Sequence, residues 1–346
     1  MKAAIPTKQT RRPTIVDVAR EAKVGVMTVS RVINNYASVK PETRAKVMKA
    51  IAKVGYRPND AARILKGMQA RMIALIIPDL SDFFSTCFHA VQRVAMLHDF
   101  QTMVVATGRN AAIEDQQMDS LKSHHIAGAI VVTSGGSSRH MQQLLDGGIP
   151  IVALDRPVPG LRADAVLVEN REGAALGVQH LIEHGHKSIA CVAFDAKVFT
   201  VHERIEGYRQ AVARAGLKPW IYDEVNSLEE MEQLVAQLTK ARNRPTAVFS
   251  AQRISSIRLV QALHHHGLRA PGDIAIVGFD DFELAEVLET PLTVVAQSAT
   301  DMARAATELL FKQIEQAPKA NAAQPAKITF PASLIVRSSC GCRPRG

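Results

Sequence analysis

From Met72 onward, short apolar segments alternate with longer amphipathic segments, and this alternation constrains the fold most strongly. Short apolar runs are typical of buried strands, and helical patterns between them indicate βαβ units with parallel sheets. About ten such units in roughly 260 residues suit two doubly wound lobes with a cleft between them better than one oversized sheet. The predicted strands are Ile73–Ile77, Thr102–Ala106, Ala129–Thr133, Ile151–Leu154, Ile189–Phe194, Ala247–Ser250 and Ile274–Phe279.

The first 67 residues differ from the rest of the chain in charge. They contain 15 lysines and arginines against 4 acidic residues, a net charge of +11, whereas the remaining residues sum to −2. A basic module joined to a near-neutral body favours a polyanionic partner for the module alone. A solvated basic tail is the alternative, and we expect residues 1–13 to be such a disordered segment.

Apolar residues recur at helical spacing in three short runs between Thr14 and Gly67, which predicts three small helices. Thr14 is suited to cap the first helix, and Asp17 would favour its positive N-terminal end. Pro41 is suited to begin the third helix and Gly55 to end it. The first two helices have the spacing of a helix-turn-helix, with an apolar seam formed by Val18, Ala19, Val24 and Val29.

In a helix-turn-helix, the second helix enters the major groove of DNA with its outward residues. Arg31 can bond a guanine edge in two places or clamp a phosphate, while Val26 and Met27 can contact thymine methyl groups. Thr28 and Ser30 suit phosphate oxygens. A three-helix bundle that binds another protein is the alternative, and the charge of +11 disfavours it.

The N-terminal residues and their spacing resemble the LacI/GalR family of transcription regulators. The resemblance implies a hinge helix that enters the minor groove, with Leu65 wedged between base pairs, Ala62 near the groove floor and Lys66 near a phosphate. An apolar wedge at a flexible base step kinks DNA, and added contacts offset the unstacking cost. Linker packing is the alternative role of Leu65. The segments that carry the resemblance are Thr14–Ala19, Thr28–Asn34, Thr43–Arg44, Gly55–Asn59 and Ala62–Lys66.

The resemblance also implies a homodimer on a near-palindromic operator in double-stranded DNA. A dimer is preferred to a tetramer because the C-terminus shows no heptad run. Lys23 and Gly25 depart from the family, which usually has Gly or Asn at the first position and Ser or Thr at the second. Glycine as a helix cap costs only about a few tenths of a kcal/mol relative to serine, so we expect the fold to be kept. The phosphate contact that a serine or threonine hydroxyl would make is expected to be absent. Further candidate DNA-binding residues on the matching segments are Thr14, Asn34, Tyr56 and Asn59.

The larger part of the chain resembles the effector-binding core of the same family, which is similar to periplasmic sugar-binding proteins. By position, Phe83 and Phe84 would stack on a ligand, and Arg204 and Asp280 would fix its polar groups. Further candidates are Asp155, Phe199 and Gln297. The aromatic residues could instead belong to the core, Asp280 could cap a turn and Arg204 could form a surface ion pair. The matching segments are Gly128–Val132, Pro150–Asp155, His180–Ile182, Gly185–His186, Ile189–Ala190, Arg204–Tyr208 and Ile276–Asp281.

The clearest departure from the family lies at Gln252 and Arg253, where Asn-Asp is typical. Arg253 places a fixed positive charge where the family's Asn-Asp pair would accept hydrogen bonds from sugar hydroxyls. One hypothesis is that Arg253 and Arg204 together select an acidic effector such as a sugar acid, because guanidinium binds carboxylate in a two-pronged geometry. The other is that the cleft has lost the usual ligand altogether.

Other chemistries receive little support from the sequence. No Gly-x-Gly-x-x-Gly or P-loop follows a strand, so no cofactor is expected, and no catalytic motif indicates an enzyme. The adjacent residues His264–His266 cannot all face one metal ion, and Cys340 and Cys342 offer only two thiols, so no metal is expected. The chain lacks a signal-peptide apolar region and a disulfide framework, which predicts a cytoplasmic, nucleoid-associated protein.

The predicted fold class is an N-terminal all-α helix-turn-helix domain with a hinge helix, followed by an α/β core like that of periplasmic binding proteins, with two doubly wound parallel-sheet lobes. The expected function is that of a transcription regulator, a repressor controlled by a small-molecule effector such as a sugar or sugar acid. The predicted divisions are a disordered segment 1–13, the helix-turn-helix 14–58, the hinge and linker 59–70, the effector-binding and dimerisation core 71–337 and a flexible tail 338–346.

Overall fold

A computed structural model describes residues 13–33, 36, 38–56, 71–136, 138–240, 244–316 and 324–342. The chain divides into two compact units between Ala70 and Arg71. No helix within these described ranges is both long and apolar enough to cross a membrane.

The described part of the N-terminal unit contains three helices, α1 (Ile15–Ala22), α2 (Val26–Ile33) and α3 (Pro41–Val54). Thr14 is the N-cap residue of α1 as predicted, and the Asp17 carboxylate reaches back to it, accepting hydrogen bonds from the Thr14 backbone N–H and hydroxyl at 2.8 and 2.7 Å. Pro41 is the first residue of α3, and Gly55 ends it in the left-handed region with a φ of 69°. The buried core of this unit is Val18, Ala19, Val29, Val32, Val47 and Ala50, against which Val24 packs.

The first lobe of the larger unit is built on a six-stranded sheet with helices on its faces. Its strands are β1 (Met72–Ile77), β2 (Gln101–Ala106), β3 (Gly128–Val131), β4 (Ile151–Asp155), β5 (Asp164–Val168) and β11 (Lys327–Phe330). All neighbours pair in parallel in the order β11-β5-β4-β3-β1-β2. The helices that follow β1, β2 and β3 are α4 (Asp82–Leu97), α5 (Ala111–Leu121) and α6 (Ser138–Asp146).

The second lobe repeats this plan. Its strands are β6 (Ile189–Val192), β7 (Trp220–Tyr222), β8 (Ala247–Ser250), β9 (Ala275–Phe279), β10 (Thr293–Ala296) and β12 (Ser333–Ile335), in the order β12-β10-β9-β8-β6-β7. The edge strand β12 is antiparallel to β10, and the other pairs are parallel. Its helices are α7 (Asn170–Glu183), α8 (Phe199–Arg214), α9 (Leu228–Lys240) and α10 (Arg253–His265), with a 3₁₀ turn at Glu283–Ala285.

Within the described ranges, the chain passes between the two sheets three times. It leaves the first lobe after β5, returns after β10 to form α11 (Ala299–Gln316), which packs on α4 and β4, and crosses again between β11 and β12. Three short neighbouring connections therefore join the lobes, an arrangement that permits hinge movement about the cleft.

All seven strands predicted from the sequence are present, with ends within two residues of the predicted ones. Their apolar runs are continuous because both faces of a parallel sheet are covered by helices. The prediction missed β5, β7, β10, β11 and β12. Three of these, β7, β11 and β12, lie at sheet edges, and they lack the long buried run that identified the central strands.

The prediction of a flexible tail over residues 338–346 is wrong for residues 338–342. Ser339 is buried and joins two strands: its hydroxyl donates to the Ile276 carbonyl at 2.7 Å and accepts from the Thr293 N–H at 2.8 Å. Cys340 is 1% exposed and belongs to the core of the second lobe. The segment is ordered because it completes this hydrogen bonding and burial, and residues 343–346 lie outside the described part.

Gly207 sets the close packing of α8 on α7. A Cβ atom added there would lie 2.1 Å from the Arg171 carbonyl oxygen and 2.9 Å from the Ala174 Cβ. Since backbone would have to move, we expect Gly207→Ala to lower the free energy of unfolding by about 1–3 kcal/mol or more, measured by urea denaturation. Gly272→Ala is the control, because the nearest atom to its added Cβ is 4.0 Å away. Equal losses in both variants would contradict this packing argument.

Candidate nucleic-acid interface and ligand cleft

Helix α2 presents one face to the core and another to solvent. Val29 and Val32 are buried in the three-helix core, whereas Val26 and Met27 are 42% and 70% exposed and Arg31 is exposed. Gly25 immediately precedes the helix, and its carbonyl accepts from the N–H groups of the third and fourth residues after it, at 2.9 and 3.1 Å. An exposed apolar pair at the N-terminal end of a helix, followed by a cation, matches what a major-groove reading helix must present.

The other residues predicted to bind DNA occupy different environments. Thr28 and Ser30 are half-buried on α2. The Thr14 hydroxyl proton is directed at Asp17, so this hydroxyl serves the helix cap and has only its lone pairs left for another partner. Tyr56 packs against the three-helix core. Asn34, Asn59, Ala62, Leu65 and Lys66 lie outside the described residues.

A cleft between the two lobes brings together most of the residues predicted to bind an effector. The space between its walls is about 650 Å³, including the open mouth that is continuous with solvent. Both lobes contribute to its wall, and the residues come from the C-terminal ends of strands or the starts of the following helices. The lining residues are Ser81, Phe83, Phe84, Arg109, Asp155, Arg156, Val198, Thr200, Val201, Arg204, Gln252, Arg253, Ile254, Asp280, Asp281 and Gln297.

Arg204 is the most constrained charged group in the cleft. It is 3% exposed, and its guanidinium lies 3.7 Å from the centre of the Phe279 ring. Its Nε donates to Asn170 Oδ1 at 2.8 Å, and its Nη1 donates to the Ala251 carbonyl and to Asp280 Oδ2, both at 3.0 Å. Arg204 is therefore fixed in place by protein groups and is neutralised by Asp280.

Two further pairs of opposite charge line the first-lobe side of the cleft. Arg156 contacts Asp155 at 3.1 Å, and Asp155 is 4% exposed at the end of β4. Arg109 contacts Asp79 at 2.5 Å. Burial raises the pKa of Asp79, but hydrogen bonds from Ser81 and the Arg109 guanidinium outweigh it, so this pKa lies below its usual value. Both carboxylates are thereby committed to arginine partners.

Phe83 and Phe84 meet edge to face with ring centroids 5.1 Å apart. Phe84 is buried in the core of the first lobe, and Phe83 packs against that core, while both reach the cleft. Phe199 begins α8 and is 38% exposed, and it is absent from the lining although its neighbours Val198 and Thr200 belong to it. Phe83 and Phe84 therefore reach the cleft wall while they also pack in the first-lobe core, and Phe199 is not among the lining residues.

Comparison with known proteins adds to this geometry. Residues 14–59 match the family description "Bacterial regulatory proteins, lacI family", and residues 178–340 match a periplasmic binding protein-like domain. The transcriptional regulator DegA of Bacillus subtilis is 32% identical over 335 residues, which cover 95% of this chain and 98% of DegA. The chain belongs to the lacI family of bacterial regulatory proteins.

Solved structures of LacI-family regulators share the architecture. A complex of the transcriptional regulator CelR with cellobiose is 30% identical, has a TM-score of 0.68 and is matched over 95% of this chain and all of CelR. A lac repressor dimer bound to operator and the anti-inducer ONPF has a TM-score of 0.82 at 24% identity, over 95% of this chain and 99% of that one. The prediction of the family and of the fold class is confirmed, and the relatives named here are transcription regulators rather than enzymes.

Gln252 and Arg253 take different roles in this LacI-family cleft. Gln252 is 7% exposed, and its Oε1 accepts from the Phe194 N–H at 3.2 Å, so it holds the loop after β6. Arg253 is half-buried at the first position of α10, and among the described residues no carboxylate pairs with it. Arg253 is therefore the cation of the cleft that has no protein counter-charge in the described ranges.

The sequence prediction missed several lining residues of the LacI-family cleft. Arg156 could have been found because it follows Asp155 at a strand end, where ligands of such folds bind. Asp281 could have been found in the same way, because it follows Asp280 just beyond β9. Arg109 lies three residues beyond β2, and its place in the cleft depends on the conformation of that loop. The lining residues missed are Ser81, Arg109, Arg156, Val198, Thr200, Val201, Ile254 and Asp281.

Proposed function

We propose that this chain is a repressor that binds a near-palindromic operator as a homodimer and is controlled by an anionic small molecule, such as a sugar acid, in the interlobe cleft. The observation that carries the ligand class is that Arg253 has no ion-pair partner among the described residues, whereas the other charged residues that line the cleft do. The operator and dimer are supported by the exposed face of α2, the basic N-terminal module and the family assignment.

Among the described residues, one positive charge that lines the cleft has no paired carboxylate. The ion pairs are Arg109 with Asp79, Arg156 with Asp155, Arg204 with Asp280 and Arg337 with Asp281. Asp281 and Arg337 are held together by two hydrogen bonds of 2.9 Å, so this pair is firmly closed. Arg253 is left as the group that gains most from an anionic ligand, because its guanidinium can bind a carboxylate through two N–H groups.

The paired groups are suited to a polar ligand body. Asp280 also accepts from Gln297 Nε2 at 2.6 Å, and Gln297 Oε1 is buried without a hydrogen-bond partner among the described atoms. A buried acceptor without a partner is costly, so a ligand hydroxyl that donates to this oxygen would be favoured. Hydroxyl groups and one acidic group on the same ligand describe a sugar acid. The solved CelR structure is a complex with cellobiose, which is a neutral sugar. We expect the difference in ligand charge between CelR and this chain to arise at Arg253.

The angle between the two lobes is the property through which a ligand would control DNA binding. Residues from both sheets line the cleft, and three short connections join the lobes. A ligand that contacts both walls binds more tightly to the conformation whose interlobe angle fits it best. It therefore shifts the population of the protein towards that conformation. The paired hinge segments of a dimer would then move together or apart, and operator affinity would follow.

Calorimetric titration with sugar acids and their neutral counterparts tests the ligand class. We expect a sugar acid to bind, and Arg253→Gln to weaken it by about 10- to 100-fold, because a charge-assisted hydrogen bond contributes about 1.5–3 kcal/mol. Arg269→Gln is the control, since it removes the same charge from an exposed position in the same lobe outside the cleft.

Two results would contradict this proposal. Tight binding of a neutral sugar, unaffected by Arg253→Gln, would show that Arg253 does not select the ligand. The absence of binding by any acid or neutral sugar, in a protein that still binds operator, would favour a cleft that has lost its effector.

A further inference from the structure

The C-terminal segment brings two thiols to a histidine that lies far away in the sequence. Cys342 Sγ lies 3.3 Å from Nε2 of His180, a residue of α7. The ligand atoms of His180, Cys340 and Cys342 all lie within 4.8 Å of one another. His180 lies 160 positions before Cys340 in the sequence, so only the two thiols stand together as a local pattern. We call these three residues the Cys-His cluster.

The spacing of the Cys-His cluster is close to that of a metal site. With Zn–S of about 2.3 Å and Zn–N of about 2.0 Å in a tetrahedron, neighbouring ligand atoms lie roughly 3.5–3.8 Å apart. The observed Sγ–Nε2 distance of 3.3 Å and the 4.8 Å limit on the other pairs require only small side-chain movements to reach it. Two thiolates and one imidazole are ligands that Zn²⁺ prefers, and three protein ligands leave a fourth position for water.

Neighbouring groups already orient one of the thiols. Thr293 Oγ1 accepts from the Arg337 N–H at 2.9 Å, and its own proton is directed at Cys340 Sγ, 3.2 Å away. A hydroxyl that donates to sulfur stabilises a thiolate, and partners of this kind commonly orient the ligands of a metal. Cys340 is buried while His180 and Cys342 are half-buried, so an ion could reach the cluster from solvent.

We propose that the Cys-His cluster binds a thiophilic divalent cation, with Zn²⁺ as the probe, through Cys340 Sγ, Cys342 Sγ and His180 Nε2. Each thiol releases one proton to solvent when it binds the ion. The ion would fasten the C-terminal segment to α7, the helix that follows the first crossing between the lobes. This site is separate from the effector cleft, whose lining contains none of its three ligands.

The test uses the full-length protein, reduced and freed of metal with a chelator. Zn²⁺ is titrated in competition with a chromophoric chelator, and Co²⁺ is used as a spectroscopic substitute. We expect one Zn²⁺ per chain, a rise in Tm with Zn²⁺, and the visible bands of tetrahedral Co²⁺ together with thiolate-to-cobalt charge transfer. Cys342→Ser should weaken Zn²⁺ binding by at least about 100-fold, since loss of a direct ligand exceeds the effect of losing its orienting partner.

His202→Gln is the matched control, because it removes an exposed histidine from a helix of the same lobe and should leave Zn²⁺ binding unchanged. Cys342 is partly exposed, so its substitution by serine should leave the fold intact, as circular dichroism would verify. Equal Zn²⁺ affinity in the wild type and in Cys342→Ser would overturn the site and assign the ion to exposed histidines such as His264–His266. Failure of the reduced wild type to compete with the chelator would overturn it as well.

Discussion

Replacement of Arg204 by methionine is expected to lower the free energy of unfolding of the second lobe by about 3–5 kcal/mol, because it leaves a carboxylate without its counter-charge. Arg204 is 3% exposed and satisfies Asp280, Asn170 Oδ1 and the Ala251 carbonyl at once. Methionine matches much of the volume but offers no donor, so three acceptors lose their partner. The lower end of the range is expected, since 18% of the Asp280 side chain stays in contact with water.

The reason for the loss can be tested with a double variant. Arg204→Met combined with Asp280→Asn removes both charges, and we expect it to unfold at a higher urea concentration than Arg204→Met alone. Trp220 is the one tryptophan of the sequence and lies in β7, so its fluorescence reports on the lobe that contains Arg204. A loss below about 1 kcal/mol in the single variant would contradict a structural ion pair at this position.

The expected role of Arg204 illustrates how far sequence reasoning reached. The family resemblance placed Arg204 and Asp280 in the cleft as a charged pair, and the structure brings them to 3.0 Å. Their partner Asn170 and the ring of Phe279 could not be anticipated, because they come from α7 and β9, which meet α8 only after the lobe has folded. A motif identifies the charged group, whereas the tertiary fold decides whether that group is free to meet a ligand.

The same distinction applies to the hypothesis of an acidic effector. Arg204 and Arg253 were expected to act together on a carboxylate. Arg204 is already bound to Asp280, so the ligand charge is assigned to Arg253 alone. Neither the pairing of Arg109 with Asp79 nor that of Arg337 with Asp281 has a local sequence signal, since each joins residues from separate elements. Residue type and order were therefore sufficient for the lobes and the cleft, and insufficient for its charge.

The helix-turn-helix was more predictable because its signals are local. The Thr14–Asp17 cap, Pro41 and Gly55 mark helix ends within a few residues of chain, and the apolar spacing fixes the buried faces. The C-terminal segment was misjudged for the opposite reason. Ser339 and Cys340 are polar or small residues near the chain end, and their burial depends on Ile276 and Thr293 in the sheet.

Arg31→Ala is expected to reduce operator affinity by about 1–3 kcal/mol, because Arg31 lies on the exposed face of α2 beside Val26 and Met27. Lys53→Ala is the matched control. It removes the same charge from the same unit, but Lys53 is paired with Glu21 at 2.7 Å and has no expected DNA contact. Fluorescence anisotropy with operator and unrelated duplexes, at several salt concentrations, gives both the affinity and its salt slope.

The salt slope then separates the two roles open to Arg31. If Arg31 forms a bidentate bond to a guanine edge, Arg31→Ala should lower the affinity for the operator and leave the affinity for unrelated DNA nearly unchanged, so discrimination between the two falls. If Arg31 instead clamps a phosphate, Arg31→Ala should weaken binding to both duplexes alike and reduce the salt slope by about 1. Equal affinity losses in Arg31→Ala and Lys53→Ala would mean that both residues act only through net charge. That result would contradict the assignment of α2 as the helix that reads the major groove.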